Sequence, residues 1–521
     1  MEYDVIVVGS GVAGLTSAAL LAKEFGKKVL VLERAPFIGG RLASFVGVGQ
    51  KVEIDGLELD ATGMQKALGV ASTHLFSSEP PIEEVFERGL LDGYTYEAGG
   101  HGLFWGNRSR IAHLLGHVGE HVEIPCNVGF GFVDHEHGNV PYQVGRGQPY
   151  PWMSEEAFAS AMNAMRAMGR MSVAEVARYK DVSLEDWLRQ FDLHPQAYDY
   201  IKALSASQTA QADLSMTPAA DFLYYMAMAK DIRMNLVDGS CGTVDRPGAV
   251  AIAQALERVI RAAGGEVRRS TTVTEVLVEG GRVEGVRMRG DGGTETARAA
   301  TVFLNMMPKQ LFHVLDRSLF PPDLVETIEQ RYWGAGLLTA FIGLTRDIWA
   351  ERGIDERSFI FLPGAIRNEG FIGDVDVVVW AMGACAPTRA PAGKRSFEFS
   401  IGLTDQEMHS RERVGRIKAW CENWFKETFP GVWERDVEFC IWTPAPDAYG
   451  QWRPVGEERL DNRSPYVNGL YLVGDQYGRR LLGGGVDGAT LSGVMAVDSL
   501  MGSNLEQEIF PPYHQGIPKD L

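Results

Sequence analysis

The chain has 521 residues, 45% of them hydrophobic and 23% charged, which is the composition of a globular protein large enough for more than one domain. A formal net charge of −18 argues against a nucleic-acid partner, which requires a basic surface, and against broad attachment to anionic lipid. The five cysteines are scattered and form no C-x-x-C pair, so neither a disulfide framework nor a zinc site is expected.

The start of the chain predicts a β-α-β unit. An apolar strand at 3–8 leads directly into G-S-G-V-A-G, a helix follows over 15–25, and a second strand over 28–32 ends at Glu33. This spacing is typical of dinucleotide binding, whereas a lone glycine-rich turn would be weak evidence. Glu33 can accept hydrogen bonds from the ribose hydroxyls of an adenosine, and it would repel a 2′-phosphate.

Each part of the glycine turn has a separate task in such a site. Gly9 allows the tight turn, Gly11 lets the backbone approach a pyrophosphate, and Gly14 lets the helix pack on the strand. The helix N-terminus, at Val12 and Ala13, offers N–H groups and a positive dipole end to the diphosphate.

Beyond the second strand, Arg34 is followed by another glycine pair and an arginine, Gly39-Gly40-Arg41. This sequence resembles the extended signature of the superfamily of FAD-containing amine oxidases and phytoene desaturases. In that superfamily the Gly-Gly-Arg turn lies along the FAD diphosphate. The resemblance therefore implies FAD as the cofactor, with Arg34, Gly40 and Arg41 among its contacts.

A glycine-rich loop at 96–105 contains His101. In the resembled superfamily such a segment passes close to the flavin, which would place His101 near the isoalloxazine ring; a histidine that only hydrogen-bonds a backbone carbonyl is the alternative. His113, His117 and His121 recur every four residues and predict one face of a helix, which we interpret as solvated rather than metal-binding.

Residues 150–235 predict a mostly helical cap, with helices over 173–188 and 195–204. Nine of the eighteen methionines lie in this segment, and residues 222–228 form a dense apolar group. Methionine adapts its shape, so the cap could mould to a flexible apolar ligand; ordinary helical core packing is the alternative.

The chain then returns to the nucleotide-binding pattern. The predicted elements are a helix over 248–263, a strand from 267, a strand–turn–strand pair over 273–288 and a buried strand at 301–305. In the superfamily the backbone near Val273 faces the adenine. Further along, apolar strands between 330 and 445, with a helix over 406–428, predict an antiparallel sheet.

The second strong signal is a strand that ends in Gly474-Asp475, followed by G-G-G-V-D-G-A at the start of the last helix. Asp475 can hold the diphosphate–ribityl region through a hydrogen bond. The helix N-terminus at Gly485, Val486 and Asp487 can place N–H groups and a positive dipole against the flavin N1–O2 edge, where negative charge develops on reduction. Neither FAD motif contains a cysteine or histidine that could link flavin, so we expect non-covalent FAD.

These patterns predict an α/β fold in which a Rossmann-type FAD-binding domain is interleaved with an antiparallel-sheet substrate domain and a mostly helical cap. The domains are expected at 1–105, 239–310 and 455–505 (FAD-binding), 106–238 (cap and part of the substrate domain) and 311–454 (sheet). With a strand beginning near residue 3 and no apolar run of transmembrane length, we expect no signal peptide and a cytoplasmic location, with a peripheral membrane contact left open.

Position 485 separates the subfamilies that this chain resembles. Monoamine-oxidase-like enzymes carry an aromatic residue there, as one wall of an aromatic cage, and this chain has Gly485. Its motif looks more like the G-x-G-V-x-G of phytoene desaturases, retinol saturases and carotenoid isomerases. The resemblance implies an FAD-dependent oxidoreductase that acts on an apolar isoprenoid, polyene or terpenoid by hydride transfer at flavin N5, in desaturation, saturation or isomerisation.

Two alternatives belong to the same superfamily. One is an amine or amino-acid oxidase; the other is a non-catalytic lipid carrier like the GDP-dissociation inhibitors, which would not need both FAD motifs intact. The sequence contains no second G-x-G-x-x-G motif, so no dedicated NAD(P)H domain is predicted. We therefore expect electrons to pass to an acceptor such as oxygen or a quinone. The sequence leaves the oligomeric state open.

Chemistry at N5 calls for a group that moves the accompanying proton. His101 is one candidate because imidazole titrates near neutrality. Tyr477, Arg479 and Arg480 lie between Asp475 and the final glycine turn, and we expect at least one of them to face the ring system. An arginine there would favour anionic reduced flavin or bind a polar end of the substrate, whereas a polyene that spreads charge along an allylic cation would need no fixed acid or base.

Overall fold

The computed structural model describes residues 2–98, 102–126, 129–133, 141–143, 153–209, 213–231, 241–330, 335–352, 358–362, 379–383, 387–449 and 455–518. The helices are α1 (Val12–Lys23), α2 (Ala61–Val70), α3 (Ile82–Glu87), α4 (Arg110–His117), α5 (Glu155–Met168), α6 (Val173–Ala177), α7 (Leu184–Leu188), α8 (Pro195–Thr209), α9 (Ala219–Asp231), α10 (Val250–Ala262), α11 (Pro322–Gln330), α12 (Asp405–Met408), α13 (Arg411–Thr428), α14 (Val432–Asp436), α15 (Gly485–Met501) and α16 (Leu505–Ile509).

The strands are β1 (Val5–Val8), β2 (Val29–Leu32), β3 (Ser44–Val48), β4 (Lys51–Ile54), β5 (Leu57–Leu59), β6 (Ser77–Glu79), β7 (Thr95–Glu97), β8 (Leu103–Phe104), β9 (Gly129–Val133), β10 (Pro141–Gln143), β11 (Cys241–Gly242), β12 (Glu266–Arg268), β13 (Thr272–Glu279), β14 (Arg282–Gly290), β15 (Gly293–Arg298), β16 (Val302–Leu304), β17 (Ala335–Leu344), β18 (Ser358–Leu362), β19 (Val379–Gly383), β20 (Arg395–Thr404), β21 (Val437–Tyr449) and β22 (Leu470–Leu472).

The predicted Rossmann-type domain is confirmed by a parallel sheet with strand order β12-β2-β1-β16-β22. Strands β1, β2, β16 and β22 are buried along their whole length, because α1, α10 and α15 cover one face of the sheet and the antiparallel β13-β14-β15 sheet covers the other. This order places the first strand of the chain beside β16, and β22, the last strand, on the other side of β16.

The predicted antiparallel sheet is an eight-stranded sheet with order β10-β9-β18-β19-β20-β17-β21-β6, in which only the described β9–β18 pair is parallel. One face packs on α13 through a cluster of aromatic residues. Its edge strands, β10 and β6, come from residues outside the 330–445 segment in which the sheet was predicted. The predicted domain boundaries remain a prediction. A separate antiparallel sheet is formed by β7-β3-β4-β5, in which β3 and β4 form a hairpin.

Three predicted helices differ from the structure. The helix expected over 173–188 is two, α6 and α7, because Ser183 caps a new helix by accepting the N–H of Asp186 at 3.0 Å. The helix expected over 406–428 is likewise two, with Ser410 as the cap of α13. The third, α4, ends at His117, so His121 is not on it.

The three histidines do not form a shared site. The His113 ring lies against the His514 ring at 5.4 Å, His117 pairs with Glu24 and His121 with Glu123. Within the described ranges, no three metal-ligating side chains converge. In the same ranges, every helix is too short or too polar to span a bilayer.

Close packing of α1 on α15 brings the first and last helices of the FAD domain together. A Cβ at Gly493 would lie 2.7 Å from the backbone oxygen of Ala13, and Ser17 Oγ donates to the backbone oxygen of Gly493 at 3.1 Å. The glycine is therefore required by the helix–helix distance.

We expect Gly493→Val to separate α1 from α15 and to lower the free energy of unfolding by about 1–3 kcal/mol, the usual effect of overpacking. Gly69→Ala is the matched control, because a Cβ at this glycine in α2 has no neighbour within 4 Å. Urea denaturation of both variants checks this; equal stability of Gly493→Val and wild type would contradict the packing argument.

Candidate functional site

A cavity of about 390 Å³ lies at the carboxyl ends of the parallel strands, the edge at which nucleotides bind in such sheets. Its walls come from segments far apart in sequence, including both glycine motifs. The predicted cofactor-binding residues that line it are Gly9, Gly11, Val12, Ala13, Glu33, Arg34, Gly40, Arg41, Val273, Gly474, Asp475, Gly485, Val486 and Asp487. Gly14 is the exception and lies behind the wall.

The first glycine turn is held by close backbone packing. Gly9 has φ +96°, which favours glycine, and a Cβ at Gly11 would meet Oδ1 of Asn305 at 2.5 Å. A Cβ at Gly14 would meet the backbone oxygen of Gly9 at 2.4 Å, which is the helix–strand contact that the sequence predicts. The first turn of α1 has no side-chain cap and no acidic residue, so its N-terminus suits an anionic group.

Asn305 is a residue of this site that the sequence analysis missed. It follows β16, and its Oδ1 accepts the N–H of Gly14 at 3.2 Å while its Nδ2 donates to the backbone oxygen of Val473 at 3.0 Å. Its side chain therefore ties the first glycine turn to the last strand. The available signal was a polar residue directly after a buried parallel strand, at the edge where ligands bind.

Glu33 reaches the cavity with its carboxylate already oriented. Oε2 accepts hydrogen bonds from the N–H and the hydroxyl of Ser10, at 2.9 and 2.6 Å, and Oε1 accepts one from the N–H of Ala35 at 2.8 Å. A carboxylate offers about four acceptor positions, so one remains for a ribose hydroxyl. The N–H of Thr271 donates to the backbone oxygen of Glu33 at 2.8 Å, which brings Val273 to the same end of the cavity.

The two predicted FAD motifs meet through a pair of opposite charges. Arg41 follows Gly39 and Gly40, which have φ values of +102° and +57°, and its guanidinium lies 3.6 Å from the carboxylate of Asp475. Asp475 is buried whereas Arg41 is partly exposed to the cavity and solvent. This placement suits an arginine that shares its charge between Asp475 and a diphosphate.

The C-terminal glycine turn forms the opposite wall. The N–H of Gly484 donates to the hydroxyl of Tyr225 in cap helix α9 at 3.3 Å, and α15 begins at Gly485. Gly485 has φ +58°, and nothing lies within 4 Å of the place where its Cβ would be. The wall is therefore open at this position.

The carboxylate of Asp487 is engaged mainly in a contact within the protein, although the residue also lines the cavity. Its Oδ1 accepts the backbone N–H of Arg110, the first residue of α4, at 3.1 Å, and its Oδ2 is buried without a hydrogen-bond partner among the described residues. Burial raises the pKa of this carboxyl to about 6, against the opposing effect of the Arg110 charge. Asp487 thus joins the start of α15 to the start of α4.

The structure does not support the predicted catalytic roles of Tyr477 and Arg480. Tyr477 is fully buried and its hydroxyl donates to the backbone oxygen of Met306 at 2.8 Å, while Arg480 pairs with Glu506 at 3.0 Å and donates to the backbone oxygen of Ile517. Arg479 is exposed near Glu458. None of the three lines the cavity, because packing sets their directions. His101 lies outside the described residues.

Most of the described cap methionines follow the core alternative, whereas Met216 is exposed. Met168, Met226 and Met228 are buried in one apolar cluster formed by α5 to α9, and none of them lines the cavity. Met171 lies beyond the end of α5. The cap nevertheless reaches the cavity wall, because Tyr225 contacts both Gly484 and the ring of Phe104, which lines the cavity.

A family model described as "Flavin containing amine oxidoreductase" matches residues 85–501, and one described as "NAD(P)-binding Rossmann-like domain" matches residues 7–88. A phytoene desaturase (neurosporene-forming) of Rhodobacter capsulatus is 23% identical in an alignment of 515 residues, gaps included, that covers 90% of this chain and 89% of the relative. Two solved structures share the fold: an oxidoreductase from Methanosarcina mazei (TM-score 0.64, 19% identity, 96% of this chain and 100% of that one) and a putrescine oxidase bound to putrescine (TM-score 0.60, 14% identity, 96% and 100%).

Replacing Asn305 with alanine removes two hydrogen bonds that connect the glycine turn to β22. We expect the dissociation constant of the dinucleotide ligand to rise about tenfold, since each bond contributes about 0.5–1.5 kcal/mol. Asn107→Ala deletes an equivalent amide outside the cavity and is the control. Fluorescence titration of the ligand-free proteins measures this, and equal affinities in all three proteins would refute a role for Asn305.

The raised pKa of Asp487 predicts a pH dependence of stability. Between its ordinary value near 4 and about 6, the folded protein binds a proton that the unfolded chain releases, so stability falls as pH rises through this window. Asp487→Asn should flatten that fall, by an amount on the order of 2 kcal/mol. Denaturant unfolding of the ligand-free protein at pH 4 to 7 checks this; a pH profile identical to wild type would contradict it.

Proposed function

Because the chain belongs to the family of flavin containing amine oxidoreductases and is thus an FAD-dependent oxidoreductase, we propose that it acts on a C–C bond of an apolar, isoprenoid-like or polyene substrate. When bound, FAD accepts or donates hydride at N5. The reaction is a desaturation, a saturation or an isomerisation, and electrons that leave the flavin pass to an acceptor such as oxygen or a quinone.

The residues of this chain would hold FAD along the whole cavity. Glu33 and the backbone near Val273 would bind the adenosine half, and the N-terminus of α1 with Arg41 would bind the diphosphate. The N-terminus of α15 would place its positive dipole end toward the N1–O2 edge. Cap helix α9 packs on the same glycine turn, and this packing would exclude water from that wall.

The observation that supports an apolar substrate most directly is the open cavity wall at Gly485. Nothing lies within 4 Å of a Cβ there, and its positive φ favours glycine over an aromatic residue. Three neighbouring lining residues are apolar: Leu103, Phe104 and Val486. A flat, extended hydrocarbon fits such a wall better than an amine that must be held between two aromatic rings.

The relative that spans most of this chain supports the same proposal. It is named a phytoene desaturase that forms neurosporene, and the match extends over 90% of this chain. The likeness to a putrescine oxidase shows the shared fold, since the identity is 14%.

Amine oxidation is the second candidate, and one carboxylate favours it. Glu398 lies on β20 between Phe397 and Phe399, whose side chains pack on α13, so Glu398 points to the opposite face of the sheet. Ala445, on that face of β21, lines the cavity, whereas Glu398 itself lies two strands away and does not line it. Burial raises the pKa of Glu398 to about 7, so a bound ammonium group would stabilise its charged form.

Flavin absorbance distinguishes the two candidates. Under anaerobic conditions we expect a polyene in detergent to reduce the oxidised flavin (desaturation), to reoxidise the reduced flavin (saturation), or to be converted by reduced flavin with no net change in the flavin spectrum (isomerisation, detected by product analysis). A panel of primary amines should neither react nor change the spectrum. Reduction by an amine, with stoichiometric peroxide on admission of oxygen, would establish the second candidate instead.

Gly485→Phe should close the open wall and lower polyene turnover at least tenfold, with FAD content retained. Gly485→Ala is the control for backbone strain, because both variants place a Cβ at φ +58° and only one fills the space. Turnover and flavin content are measured on both. If Gly485→Phe turns over the polyene as fast as Gly485→Ala, the wall at this position does not contact the substrate.

A further inference from the structure

Two buried arginines bind the backbone immediately before the C-terminal glycine turn. Arg110 donates from Nη1 to the backbone oxygen of Leu482 at 2.8 Å, and Arg459 donates from its two terminal nitrogens to the backbone oxygens of Leu481 at 3.0 Å and Gly483 at 3.5 Å. Arg110 is completely buried and Arg459 is 7% exposed. Three consecutive carbonyls are thus directed at two guanidinium groups.

The peptide groups that follow these carbonyls form the cavity wall. Residues 484–487 line the cavity, and α15 starts there with no side-chain cap. Because the carbonyls of 481–483 are held by guanidinium groups, they cannot turn toward the cavity and bring their negative ends to it. The wall formed by residues 484–487 therefore presents the positive end of the α15 dipole to the cavity.

Arg110 makes no direct ion pair among the described residues, although its charge acts on the nearby buried carboxyl of Asp487 and lowers the pKa of that group. Its Nε donates to the backbone oxygen of His514 at 2.6 Å, and its guanidinium lies over the ring of Tyr224 at 4.9 Å. Nη2 is buried without a hydrogen-bond partner, and among the described residues no carboxylate oxygen lies within 4.0 Å of this guanidinium. A buried cation without a direct ion pair keeps much of its field, so the Arg110 charge can stabilise an anionic group at the neighbouring cavity wall.

We propose that Arg110 and Arg459 are positioning residues for the flavin, which direct the carbonyls of 481–483 away from it and stabilise negative charge at its N1–O2 edge. Their two charges and the α15 dipole act on the same wall. Removal of either arginine makes reduction of the bound flavin less favourable. The proposal depends on the FAD site and is independent of the identity of the substrate.

The test is the midpoint potential of the bound flavin, measured against reference dyes in Arg110→Met, Arg110→Lys, Arg459→Met and Arg459→Lys. We expect each Met variant to be at least tenfold harder to reduce, which is about 30 mV for a two-electron couple. The Lys variants keep the charge and should recover part of the shift. Arg480→Met removes an arginine that binds Glu506 and Ile517 instead of the turn, and it should leave the potential unchanged.

Sulfite titration gives a second readout, because addition of sulfite to flavin N5 places negative charge at the N1–O2 edge. We expect a tenfold weaker sulfite complex in the Met variants at equal FAD content. Wild-type potential and sulfite affinity in folded Met variants would overturn the proposal. If both Met variants fail to fold, Arg110→Gln and Arg459→Gln replace them, because glutamine keeps a hydrogen-bond donor but removes the charge; wild-type potential and sulfite affinity in the folded Gln variants would overturn the proposal as well.

Discussion

The structure depends on the close approach of the first glycine turn to Asn305 at the end of β16. Three glycines, Gly9, Gly11 and Gly14, allow this approach because they have no Cβ. Asn305 in turn donates a hydrogen bond to the backbone oxygen of Val473. The strand order β12-β2-β1-β16-β22 places β16 between the two ends of the chain. Residues separated by more than 400 positions thereby line one cavity, which neither glycine motif could form by itself.

A second set of contacts connects this cavity to the cap. Tyr225 of α9 accepts the N–H of Gly484 and lies against Phe104, and Tyr224 covers the guanidinium of Arg110. The cap therefore packs on the backbone that would face the flavin, so a ligand that shifts α9 would also change the position of the glycine turn. The cap and the C-terminal glycine turn thus share one set of contacts.

The sequence predicted the parts of the site that are local. The strand–turn–helix units at both ends were located to within a few residues, because hydrophobic periodicity and glycine spacing act over short distances. Asn305 was missed because a single polar residue after a strand carries no periodic signal. Tyr477 and Arg480 were expected at the ring because they follow Asp475, but the direction of a side chain is set by tertiary packing, which turned one toward Met306 and the other toward Glu506. Burial of Met226 and Met228 likewise depends on neighbours that are distant in sequence.

If the two motifs form a single site for an entire dinucleotide, titration calorimetry of the ligand-free protein with FAD, FMN and ADP will show it most directly. We expect one FAD to bind per chain and ADP to compete more weakly at the Glu33 end of the cavity. FMN should bind several orders of magnitude more weakly than FAD, because it lacks the adenosine half. Equal affinity for FMN and FAD, or absence of flavin binding, would contradict a single dinucleotide site.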